Sequence, residues 1–387
     1  MSLGPGGKLL LVLAGLGIIA FALHRAGFLP QLEPLVSHLR HKSRPAPALS
    51  LADFPPGAIA PTSGLNAMPS QPLKLAVPPR AGSASLLWLS GGPGRHTDSP
   101  AAKAYALDLD LSTYANGAEV SRALALGPDQ GGVDAALVSV DDLAMRAATY
   151  RDAAPRAVAL VARSQGSVAL AAAGVDALPD LRGKRLAIPR AGPARYFALF
   201  LLARAHLGVS EVKLLPVDDS TQAAVALREG RADAAVGLTP EVALAAKDRN
   251  GAVLASSSDS PFLLDLVLVV RGDLAARYPE AVRRLVRAVL EANAAVRKDA
   301  LDGARLLDAA APALVDPVQA IKDEPPATLA ENLAFFGIEG DAPVHFDELY
   351  ASAAGLAVHL GEGQPGADPR EVREPAALRA VAALPAH

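Results

Sequence analysis

Two segments about a hundred residues apart repeat one pattern, and that echo limits the folds open to the chain. GVDAALV at 132–138 runs into SVDD, and RADAAVG at 231–237 runs into LTPE. Each follows a helix-like run carrying an Ala-Leu pair, Ala123-Leu124 or Ala226-Leu227, that stops at glycine. The order is helix, tight turn, short apolar strand, polar loop, twice over. Apolar runs without alternation suit parallel strands covered on both faces. Open sheets of that kind hold ligands in the loops at the carboxyl ends of their strands. Two such units predict two α/β lobes facing each other across a cleft.

Length and composition fit that reading and exclude others. A chain of 387 residues holds about two domains with ordinary cores. The formal net charge of -3 supplies no field to draw in nucleic acid, and 4% aromatic content argues against base stacking. No nucleic-acid partner is expected. The hydrophobic 51% is largely alanine, which speaks for helix propensity. Without cysteine the chain has no disulfides, no thiolate chemistry, no Cys-ligated zinc and no lipoprotein anchor.

The start reads as a targeting or anchoring segment over 1–26. Residues 9–23 (LLLVLAGLGIIAFAL) carry no charge and follow Lys8. That is the length of a signal peptide, slightly short for a spanning helix. Ala20-Phe21-Ala22 offers a cleavage site, but His24-Arg25 is a poor mature start, so an uncleaved anchor is expected, with a cleaved signal as the alternative. Arg25, Arg40, Lys42 and Arg44 after the span would favour a cytoplasmic downstream part. The short amino-terminal tail argues the other way. Residues 27–71, rich in proline, read as a tether reaching roughly 40 Å.

The folded part opens with a strand at 73–77, ended by Pro78-Pro79. A helix follows near 83–89, with Ser83 as its cap. Further strands are expected near 107–113, 158–162, 186–189, 212–217 and 262–270. Asn116 with Glu119 reads as a capping box, and Pro193 with Gly208 as the start and stop of a helix. Asp219 or Ser220 caps the helix ending at Gly230. Asp265 interrupts an apolar strand and must find a partner if buried. Trp88, the only tryptophan, reads as core packing.

The stretch GVDALPDLRGKRLAI at 174–188, then ALREGRADAAV and LVLVVRGDLAARYPEAVRRLVRAVLEAN, resembles periplasmic solute-binding proteins of the nitrate/sulfonate/taurine type. The resemblance covers about residues 73–350, and the anchor with its tether is similar to the membrane-anchored members. It implies the two-lobe type II periplasmic binding protein fold, α/β, with the ligand cleft between the lobes. Lobe I would be 72–162 plus 263–360 with C-terminal helices, lobe II 163–262, and 361–387 a tail. The hinge would be two crossing strands near 158–163 and 262–267. The implied function is an exported protein that closes on a small, anionic solute and delivers it to the permease subunits of an ABC importer. Sulfonates, nitrate-like anions and small organic acids fit, with a periplasmic location anchored to the inner membrane.

Candidate ligand groups lie in the loops at strand ends. Arg190 and Gly192 precede a helix whose free N–H groups make an anion site. Arg195 is a weaker candidate beside it. Arg80 and Ser83 follow the first strand. Ser139 and Asp141 follow the first echo unit, where capping a helix is the competing role. Ser220, Thr221 and Thr239 occupy the matching loops of the second, with the same competitor.

Enzyme motifs are missing: the eight histidines are scattered, no G-x-S-x-G is present, and SGGPGR at 90–95 lacks the end of a phosphate loop. No cofactor or metal is expected, and the chain reads as a non-enzyme. A tethered sensor or envelope scaffold without transport, and an enzyme on the same fold, are the alternatives.

Overall fold

The computed structural model describes residues 68–260, 262–312, 314, 316–359 and 367–383. The apolar segment at 9–23, the tether up to 67 and parts of the tail lie outside the described residues. No helix among the described residues is long and apolar enough to cross a membrane.

Eleven strands form two sheets among the described residues. The first holds β1 (Leu73–Val77), β2 (Gly94–Arg95), β3 (Leu109–Thr113), β4 (Ala135–Ser139) and β5 (Arg156–Arg163). The second holds β6 (Val168–Ala172), β7 (Arg185–Pro189), β8 (Lys213–Val217), β9 (Ala234–Leu238) and β10 (Ala252–Ser256). The chain then returns to the first sheet with β11 (Asp265–Val270). The orders are β2-β3-β1-β4-β11-β5 and β10-β6-β9-β7-β8. In each, three adjacent strands run parallel, β3-β1-β4 and β8-β7-β9, and an antiparallel strand lies against the echo strand. The architecture is the two-lobe periplasmic binding protein fold.

The echo strands β4 and β9 are buried almost throughout, as their unbroken apolar runs require. Gly131 and Gly230 sit at matching points before them, at φ 79° and 75°, where a side chain would be strained. β6 and β10 had no sequence signal of their own. VALAA and AVLAS are short and alanine-rich, and alanine does not distinguish strand from helix.

The chain passes between the sheets twice, between β5 and β6 and between β10 and β11. The passages are bonded to each other: the Ser164 hydroxyl lies 2.6 Å from that of Ser167 and 2.7 Å from that of Ser257. Ser257 Oγ also accepts the amides of Gly166 and Val168. Asp265 finds its partner here. It is fully buried 3.4 Å from the Arg163 guanidinium, which also lies over the rings of Phe262 and Phe335. Burial still pushes the Asp265 carboxyl up to about 6, against the pull of Arg163.

Helices after β11 cover the first sheet. Asn332 bonds both the amide and carbonyl of Leu160, and Asn293 donates to the Val161 carbonyl. The exposed edge of β5 is thereby covered. Residues 367–383 add two short helices, Pro369–Val372 and Ala376–Ala382, joined to β5 by a bridge between Ala157 and Arg373. Trp88 is half-buried against the core. Ser83 does not cap: a short turn at Ala81–Ser83 precedes α1 (Ala84–Ser90), and the Ser83 hydroxyl donates to the Pro78 carbonyl at 2.7 Å.

Candidate ligand-binding site

Six parallel strands, three from each sheet, point their carboxyl ends at one cavity of about 240 Å³. The first sheet contributes Pro78, Pro79 and Arg80 after β1, Asn116 and Gly117 after β3, and Ser139 and Asp142 after β4. The second contributes Pro189 and 191–194 after β7, 218–221 after β8, and Leu238 with Glu241 after β9. Ala311 and Leu314 close one side. This is where an open α/β sheet holds its ligand. The volume lies below the roughly 300–1,000 Å³ of drug-sized pockets, so the cavity suits a small solute.

The helices that follow these strands place their first turns on the wall. Asn116 caps α2 (Gly117–Leu126) by accepting the Glu119 amide at 3.0 Å, and the Glu119 carboxylate accepts the amide of Ala115. Ser139 caps α3 (Val140–Met145) through the Asp142 amide. Gly192 stands before α4 (Pro193–Arg204) at φ 84° and has no side chain to cap it, leaving that first turn open. Asp219 caps α5 (Ser220–Arg228) by accepting the Gln222 amide at 2.8 Å. Leu238 precedes α6 (Thr239–Lys247), again without a side-chain cap.

Of the residues expected to meet ligand, the cavity brings together Arg80, Ser139, Gly192, Ser220 and Thr221. Ser83, Asp141, Arg190 and Thr239 stand outside its wall. Ser83 is buried in the turn below. Arg190 is exposed and pairs with Asp218 at 3.2 Å. Thr239 donates to the Gly166 carbonyl. Arg195 donates to the Pro189 carbonyl at 3.4 Å. Asp141 is fully buried with neither carboxylate oxygen hydrogen bonded. Burial, then the charge of Asp142, push it up to about 7, while Arg80 pulls the other way.

Arg80 does not face the cavity as a bare cation. Its Nε donates to Glu324 Oε2 at 3.0 Å and its second nitrogen to Oε1. The same carboxylate accepts the Gly82 amide at 2.6 Å and the Ser167 hydroxyl at 3.3 Å. A Cβ at Gly82 would lie 2.4 Å from the Leu266 side chain, so glycine lets this turn approach. Asp142 is likewise occupied, by hydroxyls of Ser121 at 2.6 Å and Tyr150 at 2.9 Å, with Arg146 at 3.7 Å.

Sequence reasoning missed Glu324, because a buried pair 244 positions apart leaves no local pattern. It read Asn116 only as a helix cap. The cue available was that Asn116 follows a parallel strand, so a cap there is also a cleft wall. In the loop after β9 it is the acid at Glu241, not the hydroxyl of Thr239, that reaches the cavity.

The model of the NMT1/THI5-like family matches residues 103–300. The chain belongs to that family. No curated protein sequence matches it. Among solved structures, this family member is similar to the alkanesulfonate-binding protein SsuA of Xanthomonas axonopodis pv. citri bound to MOPS. That pair shares 15% identity over 80% of this chain and 100% of the other, with a TM-score of 0.62. The periplasmic aliphatic sulphonate-binding protein SsuA of Escherichia coli gives 16%, 79% and 92%, with a TM-score of 0.60. The periplasmic nitrate-binding protein NrtA of Synechocystis PCC 6803 gives 14%, 81% and 88%, with a TM-score of 0.59. At these identities the likeness carries the fold.

Proposed function

We propose that this protein is an exported solute-binding component that closes its two lobes on a small solute and delivers it to an ABC importer. The observation that carries this is the cavity shared by six facing strand ends, with the two passages between the sheets, bonded through Ser164 and Ser257, joining its walls. Closure of such a pair is a population shift for which the solute supplies contacts to both sides. The binding functions of the similar sulfonate and nitrate proteins support the reading. The apolar run at 9–23 would anchor the protein at the inner membrane, with 27–71 as tether. The anion expected from the sequence would have the open first turn of α4 at Gly192 as its seat.

The test is a thermal-shift screen of the full-length protein against sulfonates, oxyanions, organic acids, amines and pyrimidines. A true solute at a hundredfold excess over its Kd stabilises by roughly 2.7 kcal/mol, a shift of a few degrees. A folded protein indifferent to every class would sink the reading. A reporter active only outside the cytoplasm, fused after residue 72, tests export separately.

A further inference from the structure

The charges on the cavity wall are lopsided. One cation, Arg80, faces four carboxylates: Asp142, Asp218, Asp219 and Glu241. Arg80 is already matched by Glu324, Asp218 by Arg190, and Asp142 has Arg146 together with two hydroxyl donors. Asp219 and Glu241 remain. Asp219 accepts the amide of Gln222, and Glu241 accepts the Thr221 hydroxyl at 3.2 Å. Among the described residues neither has a basic partner within ion-pair distance. They flank Ser220 and Thr221 at the starts of α5 and α6, and they repel each other: burial, then the charge of Asp219, raises the pKa of Glu241.

We propose that the cavity recognises its solute through a protonated nitrogen, an ammonium, amidinium or guanidinium group, seated between Asp219 and Glu241. This rests on the reading of the cavity as a solute site and replaces the simple anion as its occupant. Helix capping accounts for one oxygen of Asp219 and for nothing at Glu241, which caps no helix and faces the cavity. An anion in this space would meet two carboxylates without a counter-charge, and a cation supplies the charge both of them lack. A partly enclosed carboxylate pair binds such a group through charge-assisted hydrogen bonds.

The experiment is calorimetric titration of the full-length protein with two sets of small solutes. Putrescine, agmatine and ethanolamine carry a protonated nitrogen; nitrate, acetate and ethanesulfonate do not. Taurine against ethanesulfonate gives a matched pair differing in the amine. Expected is binding confined to amine-bearing members, weakened roughly ten- to a hundredfold by Glu241→Gln. Asp219→Asn, which keeps the helix cap, should weaken it in the same direction with an unchanged unliganded melting temperature. Binding of amine-free anions at an affinity kept or raised by Glu241→Gln would overturn the inference while leaving the solute-binding reading intact. No binding by either set to a folded protein would count against both. The wild-type panel decides the matter even where a variant fails to fold.

Discussion

In the first sheet the Asp134 carboxylate accepts the Lys74 amide at 2.9 Å, and the Asp134 amide donates to the Lys74 carbonyl at 2.9 Å. In the second sheet Asp233 and Arg185 make the same two bonds at the same distances. The backbone device is one device used twice: an aspartate at the foot of the echo strand ties it to its parallel neighbour. The surroundings differ. Asp134 is desolvated, and burial raises its pKa. Asp233 is held by the Arg185 guanidinium, which lowers it to about 2. The contrast runs through to the cavity. The wall from the first sheet has its charges matched internally, Arg80 by Glu324 and Asp142 by two hydroxyls, whereas the wall from the second leaves Asp219 and Glu241 unmatched. One lobe spends its polar groups on holding shape, and the other leaves them open to the cavity.

The largest test of that division is Glu324→Ala. It would leave Arg80 buried without its counter-ion and strip the Gly82 amide and Ser167 hydroxyl of their acceptor. A loss of about 3–5 kcal/mol in urea unfolding is expected. Glu241→Gln, removing a partly buried acid of the second wall that accepts only the Thr221 hydroxyl, should leave unfolding nearly unchanged. Equal losses from both would break the comparison.

A smaller effect probes the turns before the echo strands. Gly132 and Arg231 occupy the same place in the two units. A Cβ on Gly132 would stand 2.1 Å from the Ala123 carbonyl oxygen and 2.9 Å from that of Gly127, so the helix and strand meet there backbone to backbone. Gly132→Ala should cost roughly 1–3 kcal/mol, as other forced overpacking does. Arg231 is exposed and pairs only with nearby Glu229 at 2.7 Å. Arg231→Ala should fall within about 0.5 kcal/mol of wild type. Thermal unfolding of the two variants side by side decides it.

These contrasts also show which parts of the structure the chain announces. The echo was legible because Gly131 and Gly230, and Asp134 and Asp233, are fixed by local needs: a left-handed turn and a strand tie. Caps such as Asn116 and Asp219 were legible for the same reason. Arg190 lies outside the cavity wall, beside the exposed carboxylate of Asp218, and that pairing is not visible in the local pattern. Glu324 could not be found because all its partners, Arg80, Gly82 and Ser167, lie more than 150 positions away. Its chain neighbours in the helix Pro317–Asp323 give no hint of a buried acid. The charge balance of the cavity was hidden similarly. The acids at 141, 142, 219 and 241 were all visible, and what decided their roles was which of them had found a base.

The smallest effect is also the most direct reading of the two aspartates, and it appears in the pH dependence of stability. Asp233 has a folded pKa of about 2, below its ordinary value of 3.8, so its contribution is present above the ordinary value. That contribution is lost as pH falls through the folded value, because the unfolded chain takes up the proton first. Asp134 is shifted upward, so its sign is opposite: the folded state holds that proton more readily, and the cost of burying its charge is relieved as pH falls. Asp233 is largely solvated and the effect is correspondingly modest. Urea unfolding followed from pH 7 down to pH 2 should therefore show Asp233→Asn flattening the acid limb and Asp134→Asn steepening it. Asparagine keeps an acceptor for the Lys74 and Arg185 amides, which separates charge from the strand tie. Limbs that move in the same direction would mean that the two aspartates share their electrostatics as well as their geometry, and the asymmetry between the lobes would then begin only at the cavity.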